Sequence, residues 1–403
     1  MKKTLAAVAA LTLCGVASAQ SSVTLFGVVD VAVSNVSNKA ERVYTLADLV
    51  TPSFLPGSVK ASRTELRNSG LSSSRLGFRG VEDLGGGLTA GFWLESPLSN
   101  DDGGGLSAFS RRSTLSLAGG FGELRLGRDS TPTKLNDDQF DPFGATGIGS
   151  SLIATAYSHS RVSNSVQYFL PKGLGGVYGN VMYAFHERTS FDPLGALQRD
   201  SKAGQYFGGR VGFANGPLDV AVAYGQLDGA SVTTDTINIT TDRTTKNKIL
   251  SAGATYDFGV VKLFGQYSQN RQERSTLLAD YSNGFLTIDP KTRVQGYLVG
   301  VTVPVGAGLI RASYAHVKYD DNTVATLWNP VEDRKANKFA LGYQHNLSKR
   351  TALYATVARV SNKNGAALTV GGPALTTAQL TQGGATYRMK NSTGYEFGLR
   401  HSF

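Results

Sequence analysis

SVTLFGVVDVAVS, residues 22–34, carries the pattern that decides the fold. Leu25, Gly27, Val29, Val31 and Val33 fall on one side, and Thr24, Phe26, Val28 and Asp30 on the other, which is the period-two spacing of a β-strand. One side is continuously lipophilic, while the other tolerates a carboxylate. The pattern returns with Leu218, Val220, Val222 and Tyr224 against Asp219, Ala221, Ala223 and Gly225. It returns again with Leu250, Ala252, Ala254 and Tyr256 against Ser251, Gly253, Thr255 and Asp257, and with Phe339, Leu341 and Tyr343 against Lys338, Ala340, Gly342 and Gln344. Aliphatic and aromatic residues on one face, small and polar ones on the other, in segments of roughly ten residues, mark strands that cross a membrane.

Working outward from these segments gives about sixteen strands. They fall near 22–35, 72–82, 87–95, 109–119, 122–128, 161–170, 177–186, 205–214, 218–226, 248–258, 260–271, 292–303, 308–318, 338–346, 351–360 and 392–403. Connections alternate between short ones and long ones, the long ones at 36–71, 96–108, 129–160, 187–204, 227–247, 272–291, 319–337 and 361–391. Sixteen antiparallel strands with both termini on the short-turn side follow, the asymmetry of an outer-membrane barrel with short periplasmic turns and long outer loops. A soluble β-sandwich also alternates, but it would bury larger and more varied residues and show no such alternation of connections. In lipid the sheet must close, because no backbone hydrogen bond can be left open.

The segment 121–170, FGELRLGRDSTPTKLNDDQFDPFGATGIGSSLIATAYSHSRVSNSVQYFL, places a long stretch without helical or strand periodicity between two alternating strands. A structureless connection of that length inside a compact domain counts against the assignment unless the loop is functional. The reading is a loop, 129–160, folded into the lumen so that its acids face arginines on the wall.

The ends and the composition limit the alternatives. Lys2 and Lys3, the apolar run from Leu5 to Val16 and the small-residue site Ala17-Ser18-Ala19 read as a secretory signal over 1–19, with the barrel occupying 20–403. The one cysteine, Cys14, lies inside that signal, so the exported chain would have neither disulfides nor thiolate metal ligands. The 40 Lys plus Arg exceed the 30 Asp plus Glu, and losing Lys2 and Lys3 leaves a surplus of eight. These cations are scattered rather than clustered, which argues against nucleic acid and for a bias towards anionic solutes. The best apolar run after the signal, from Leu298 to Ile310, is interrupted by Thr302, Pro304 and three glycines, so no helix crosses a membrane. The last strand sets Tyr395, Phe397, Leu399 and Phe403 on one face.

SSVTLFGVVD, SRLGFRGVEDLGGGLTAGFWLE (74–95), RRSTLSLAGGFGELRLGRDSTP (111–132) and the ending GLRHSF together resemble the general diffusion porins of Gram-negative outer membranes, most closely the β-proteobacterial branch. The resemblance spans the chain after the signal. It implies a sixteen-stranded barrel, a homotrimer, a third outer loop folded inward as the constriction, and passive diffusion of small hydrophilic solutes without a cofactor. It further implies outer-membrane lipid and lipopolysaccharide as surroundings, small solutes and inorganic anions as cargo, and the outer-membrane assembly machinery as a partner. Phe403 resembles the terminal aromatic of the assembly signal. Arg75 in RLGFRG and Arg161 occupy positions of wall arginines that line the family's eyelet. A third such position falls on Thr114, with Arg112 one inward step above it, and Asp137, Asp138 and Asp141 stand in place of the loop carboxylates.

Alternation supports the facing of the arginines independently. With Leu76 and Phe78 outward, Arg75 and Arg79 point in; with Leu115 and Leu117 outward, Arg112 points in; with Leu124 and Leu126 outward, Arg125 does. A cation on the lipid face near the midplane would cost ~2–4 kcal/mol. The inward positions near the eyelet read as Arg, Thr, Ser and Gly, with the aromatics mostly on the lipid face, which argues against the aromatic slide of a sugar channel. A substrate-specific channel for sugars or organic acids is the nearest competing reading. An outer-membrane enzyme is a more distant one: no nucleophile elbow, H-E-x-x-H or P-loop occurs. The five histidines, His159, His186, His316, His345 and His401, lack metal-ligand spacing.

Overall fold

A computed structural model describes residues 22–44, 55–106, 108–144, 146–153, 159–187, 202–234, 240–280, 284–288, 291–321, 333–381 and 385–403. The signal expected over 1–19 lies outside these residues. The strands are β1 (Ser22–Val43), β2 (Ser58–Asn68), β3 (Arg75–Gly85), β4 (Leu88–Pro97), β5 (Arg112–Gly119), β6 (Gly122–Ser130), β7 (Arg161–Phe169), β8 (Val177–Ala184) and β9 (Tyr206–Asn215). They continue as β10 (Leu218–Thr234), β11 (Thr240–Asp257), β12 (Lys262–Asp280), β13 (Gly284–Ile288), β14 (Lys291–Val305), β15 (Gly308–Asp321), β16 (Arg334–Asn346), β17 (Thr351–Lys363) and β18 (Thr386–Ser402).

These eighteen segments form one antiparallel sheet of sixteen staves. β1 pairs with β3 from Ser22 to Val28 and with β2 from Val31 to Glu41, so β2 and β3 are a single stave interrupted at 69–74. β12 likewise pairs with β14 below and β13 above, a second divided stave. The sheet closes where β1 meets β18, from Val28 opposite Ser402 to Val43 opposite Thr386. Phe403 completes that seam: Gly27 N donates to its carbonyl at 3.0 Å and its own N–H returns to Gly27 O at 3.1 Å. Closure leaves the ladder without an edge, which is what lipid requires.

Residue alternation sets the two surfaces. On β1, Asp30, Ala32, Ser34, Val36, Asn38 and Ala40 are buried inward, while Val29 and Val33 are exposed outward. The outward set includes Val181, Val211, Val222, Leu250, Val299 and Phe397, a lipophilic surface where lipid takes the place of a core.

Several connections expected as long loops are hairpins that continue the strands. β1 runs to Val43 and β2 returns from Ser58, β10 reaches Thr234 and β11 starts at Thr240, and β12 reaches Asp280. Above the membrane neither face needs to be lipophilic, so SNKAERV and its counterparts lose the amphipathic cue while keeping their backbone pairing.

The loop 129–160 is not structureless either. Thr131 caps a helix, α1 (Pro132–Phe140), accepting from Lys134 N at 3.2 Å, with Pro132 in the first turn, where its missing N–H costs nothing. The helix lies inside the barrel against β8 to β12. After it, Phe143, Ile148, Leu152 and Ile153 pack with Leu298, Val317, Ala336 and Ala340 of the far wall. The wall receives them where it has no side chain. A Cβ at Gly253 would fall within the Phe140 ring, and one at Gly300 would lie 2.7 Å from Pro142 Cγ.

Gly253→Ala is therefore expected to lift α1 from the wall, at the ~1–3 kcal/mol typical of overpacking. Single-channel conductance should rise and the heat-unfolding transition in detergent should fall, whereas Gly265→Ala, with open space at its Cβ, should change neither. Unchanged conductance and stability in Gly253→Ala would contradict this packing.

Candidate functional site

The loop is fastened to the wall by a polar contact set on one face of α1. Asn136 Nδ2 donates to Ser251 Oγ at 3.0 Å, and Arg210 Nε donates to Asn136 Oδ1 at 3.1 Å. Asp137 Oδ1 accepts from Gln266 Nε2 at 2.6 Å and from Ser251 Oγ at 3.2 Å. Arg210 also reaches Gln139 and stacks over Tyr178, 5.0 Å from its ring centre. Beyond the helix, Asp141 accepts from Phe143 N and Ser151 N, both at 2.8 Å, and Lys338 Nζ donates to Ser150 O. The loop's buried polar groups are thus matched to the wall before the pore is reached.

The remaining wall, β3 to β7, carries a second set of cations, which the loop leaves uncovered. Glu95, buried on β4, holds Arg111 at 2.6 Å and Arg75 at 3.8 Å. The charges acting on Arg161 include Arg111, Glu95 and, from the loop, Asp138. One carboxylate therefore pairs with two guanidiniums, and Arg161 stands within the field of the same group, while Asp138 is already bridged by Lys134 of its own helix. Lower on the wall, Arg125 binds Asp129 at 3.0 Å and Glu123 at 2.6 Å, and Arg112 lies 3.7 Å from Asp129 and donates to Thr114 Oγ1 at 3.0 Å. Trp93 stands between two arginines, with Arg112 at 4.5 Å and Arg79 at 5.4 Å from its ring centre and Phe26 edge-on at 4.9 Å.

The structure thus brings Arg75 and Arg161 into one cationic group and sets Arg112 a step away with Asp129. Of the three loop acids, only Asp138 acts on that group. Asp137 and Asp141 do not join Arg75, Arg111 and Arg161: one is taken up between α1 and β11–β12, the other holds the turn after the helix on the side of Arg311 of β15. Asp137 is buried against the wall while Asp138, one position on, is exposed, so the two acids stand in different surroundings. The aromatics need a correction as well, since Phe26, Trp93 and Tyr178 line the inner wall, where guanidinium stacking suits them. Trp93 and Glu95 were accessible to alternation, which puts them opposite outward Phe92 and Leu94. Arg111 falls inside the strand expected over 109–119, where alternation with inward Arg112 would turn it outward, but the strand begins at Arg112 and Arg111 is free to reach Glu95. His159 packs its ring against Tyr206, 6.2 Å between centres, away from the arginines. Among the described residues no cluster of His, Cys, Asp or Glu is suited to a metal.

A Gram-negative porin family model matches residues 4–365. The chain belongs to the Gram-negative porin family. It is 36% identical to outer membrane porin protein 32 of Delftia acidovorans over the whole of both chains, and 31% identical to an outer membrane porin protein of Bordetella pertussis, covering 88% of this chain and 93% of that one. Its structure is similar to that of the anion-selective porin from Comamonas acidovorans, with a TM-score of 0.67, 36% identity and coverage of 95% and 100% of the two chains. This porin is accordingly an outer-membrane channel for passive diffusion, of the β-proteobacterial kind.

Burial pushes the Asp137 carboxyl up from its ordinary 3.8 to about 7, with Ser251 and Gln266 only partly offsetting it. A carboxyl raised by docking costs stability only when charged, so the cost is absent below pH ~4 and complete above ~7. Stability of the docked porin loop should fall as pH rises through that window, by an amount on the order of a few kcal/mol. Asp137→Asn should flatten the dependence of the heat-unfolding transition on pH between 4 and 8; a profile parallel to the parent's would refute it.

Proposed function

We propose that this porin is a general diffusion channel with anion preference, and that its constriction lies between Arg75, Arg111 and Arg161 on the wall and Asp138 on the loop, with Arg112 below. The pairing of Glu95 with both Arg75 and Arg111, with the Arg161 guanidinium in the field of the same group, carries the reading. In a narrow, partly low-dielectric slot this local cationic surplus acts on a passing ion far more strongly than the same charges on open surface. The similar porin from Comamonas acidovorans, described as anion-selective, supports the same sign. No enzymatic step is assigned. A homotrimer in outer-membrane lipid and lipopolysaccharide, with Phe403 as the assembly signal, belongs to the same proposal and rests on the family.

A solute-specific channel is the second reading, supported by the Trp93 platform between Arg79 and Arg112. It calls for saturating conductance or block by a solute, whereas diffusion calls for conductance linear in salt.

Zero-current potentials in a potassium chloride gradient test the proposal. Wild type should favour chloride, Arg75→Ala and Arg161→Ala should each lower the permeability ratio about twofold or more, and Asp138→Asn should raise it. Asp137→Asn and Asp141→Asn should leave it unchanged. Cation selectivity in the wild type, or indifference to both arginine changes, would overturn the assignment.

A further inference from the structure

Asp30 is a carboxylate on the inner wall that the charge balance of an anion channel does not explain. It is fully buried on β1 and makes no ion pair within 4.0 Å among the described residues. Four donors converge on it instead. Gly70 N at 3.3 Å and the Tyr354 hydroxyl at 2.5 Å reach Oδ1, and Leu71 N at 2.9 Å and Ser72 N at 2.5 Å reach Oδ2. Three consecutive backbone N–H groups around one carboxylate make an anion-binding nest, here filled by the chain itself. The backbone of Asp30 is engaged as well: its carbonyl accepts from Ser69 N at 2.8 Å, and the Ser74 hydroxyl accepts from its N–H and donates to its carbonyl, both at 3.1 Å.

These bonds order residues 69–74, the interruption between β2 and β3. Ser69 takes a φ of 69°, a left-handed conformation that a serine keeps only where its surroundings fix it, and its hydroxyl accepts from Ser74 N at 2.9 Å. Tyr354 of β17 reaches the nest across two glycines, because a Cβ at Gly398 or at Gly70 would collide with its ring or its hydroxyl. Two parts of the pore rest on the ordered turn. The carbonyl of Ser73 accepts from Arg75 Nη1 at 3.1 Å, a second hold on the guanidinium that Glu95 pairs with. The tip of loop 129–160 meets the same turn at Gly147, which has a φ of 72° and where a Cβ would collide with the Gly70 carbonyl.

We propose that Asp30 is a positioning residue of the pore: through the 69–74 turn it sets the Arg75 guanidinium and seats the loop tip, so that chloride preference depends on a carboxylate whose own charge opposes chloride. The inference rests on Arg75 lining the constriction. Charge and position then give opposite signs. By charge alone, removing a carboxylate from the inner wall raises anion preference. By position, an amide there turns one acceptor oxygen into an N–H donor that faces backbone N–H groups. The nest opens, Arg75 loses the carbonyl of Ser73, and chloride preference falls.

The test measures zero-current potentials of the full porin in a potassium chloride gradient, with each change made both in the wild type and in Arg75→Ala. Asp30→Asn should lower the chloride-to-potassium permeability ratio about twofold in the wild type and should not lower it further in Arg75→Ala, because residues that act through one another are not additive. A rise or no change with Asp30→Asn, where Arg75→Ala lowers the ratio, overturns this inference alone, as does an equal fall in both backgrounds. Indifference to Arg75→Ala overturns the constriction assignment and this inference with it. If Asp30→Asn does not insert into bilayers, Tyr354→Phe decides, since it alters no charge and keeps the ring between Gly398 and Gly70. A fall confined to the wild-type background is then expected, and an unchanged ratio, or an equal fall in both backgrounds, contradicts the proposal.

Discussion

The packing of loop 129–160 onto a wall that lacks side chains at the points of contact is what the channel depends on. Phe140 fills the space above Gly253, and Pro142 fills that above Gly300, while Ile148 and Leu152 join the apolar residues of β14 to β16. A barrel of sixteen staves is wide enough to leave an aqueous lumen. With the loop bound to one side, the passage is displaced towards the other side, and that side carries Arg75, Arg111 and Arg161.

Satisfaction of polar groups determines which charges remain for the solute. Asp137 and Asp141 are taken up by Gln266, Ser251 and backbone N–H groups, and Lys338 by the carbonyl of Ser150. Each of these interactions holds the loop and keeps a charged side chain buried at the loop–wall contact. On the arginine wall the matching is incomplete, because Glu95 pairs with both Arg75 and Arg111 and leaves Arg161 beside them without an ion pair of its own within 4.0 Å among the described residues. Selectivity in this account comes from a local imbalance set by docking, not from the net charge of the chain.

The barrel was legible in the sequence because lipid imposes a strict alternation on every stave, and Val29, Val33, Val222 and Leu250 display it. Where the strands rise into solvent, as from Asn38 to Val43, lipid no longer constrains the outer face and the strands look like loops. Arg75, Arg112 and Arg161 could be oriented from sequence because they lie on or at the ends of strands. The loop acids could not, since their facing depends on a nine-residue helix. Its start was written in Thr131-Pro132, but its rotation was not. Arg111 lay within the expected strand 109–119 on its outward set, and only the later start of the strand, at Arg112, brings it to Glu95.

The most direct measurement is the zero-current potential of Glu95→Gln compared with that of Glu82→Gln. Both changes remove one negative charge, the first at the shared carboxylate of the arginine wall and the second at an exposed position near the short turn after β3. A local imbalance predicts a clear gain in chloride preference for Glu95→Gln and little change for Glu82→Gln. Equal shifts in the two variants would show that overall charge governs selectivity and would contradict the account.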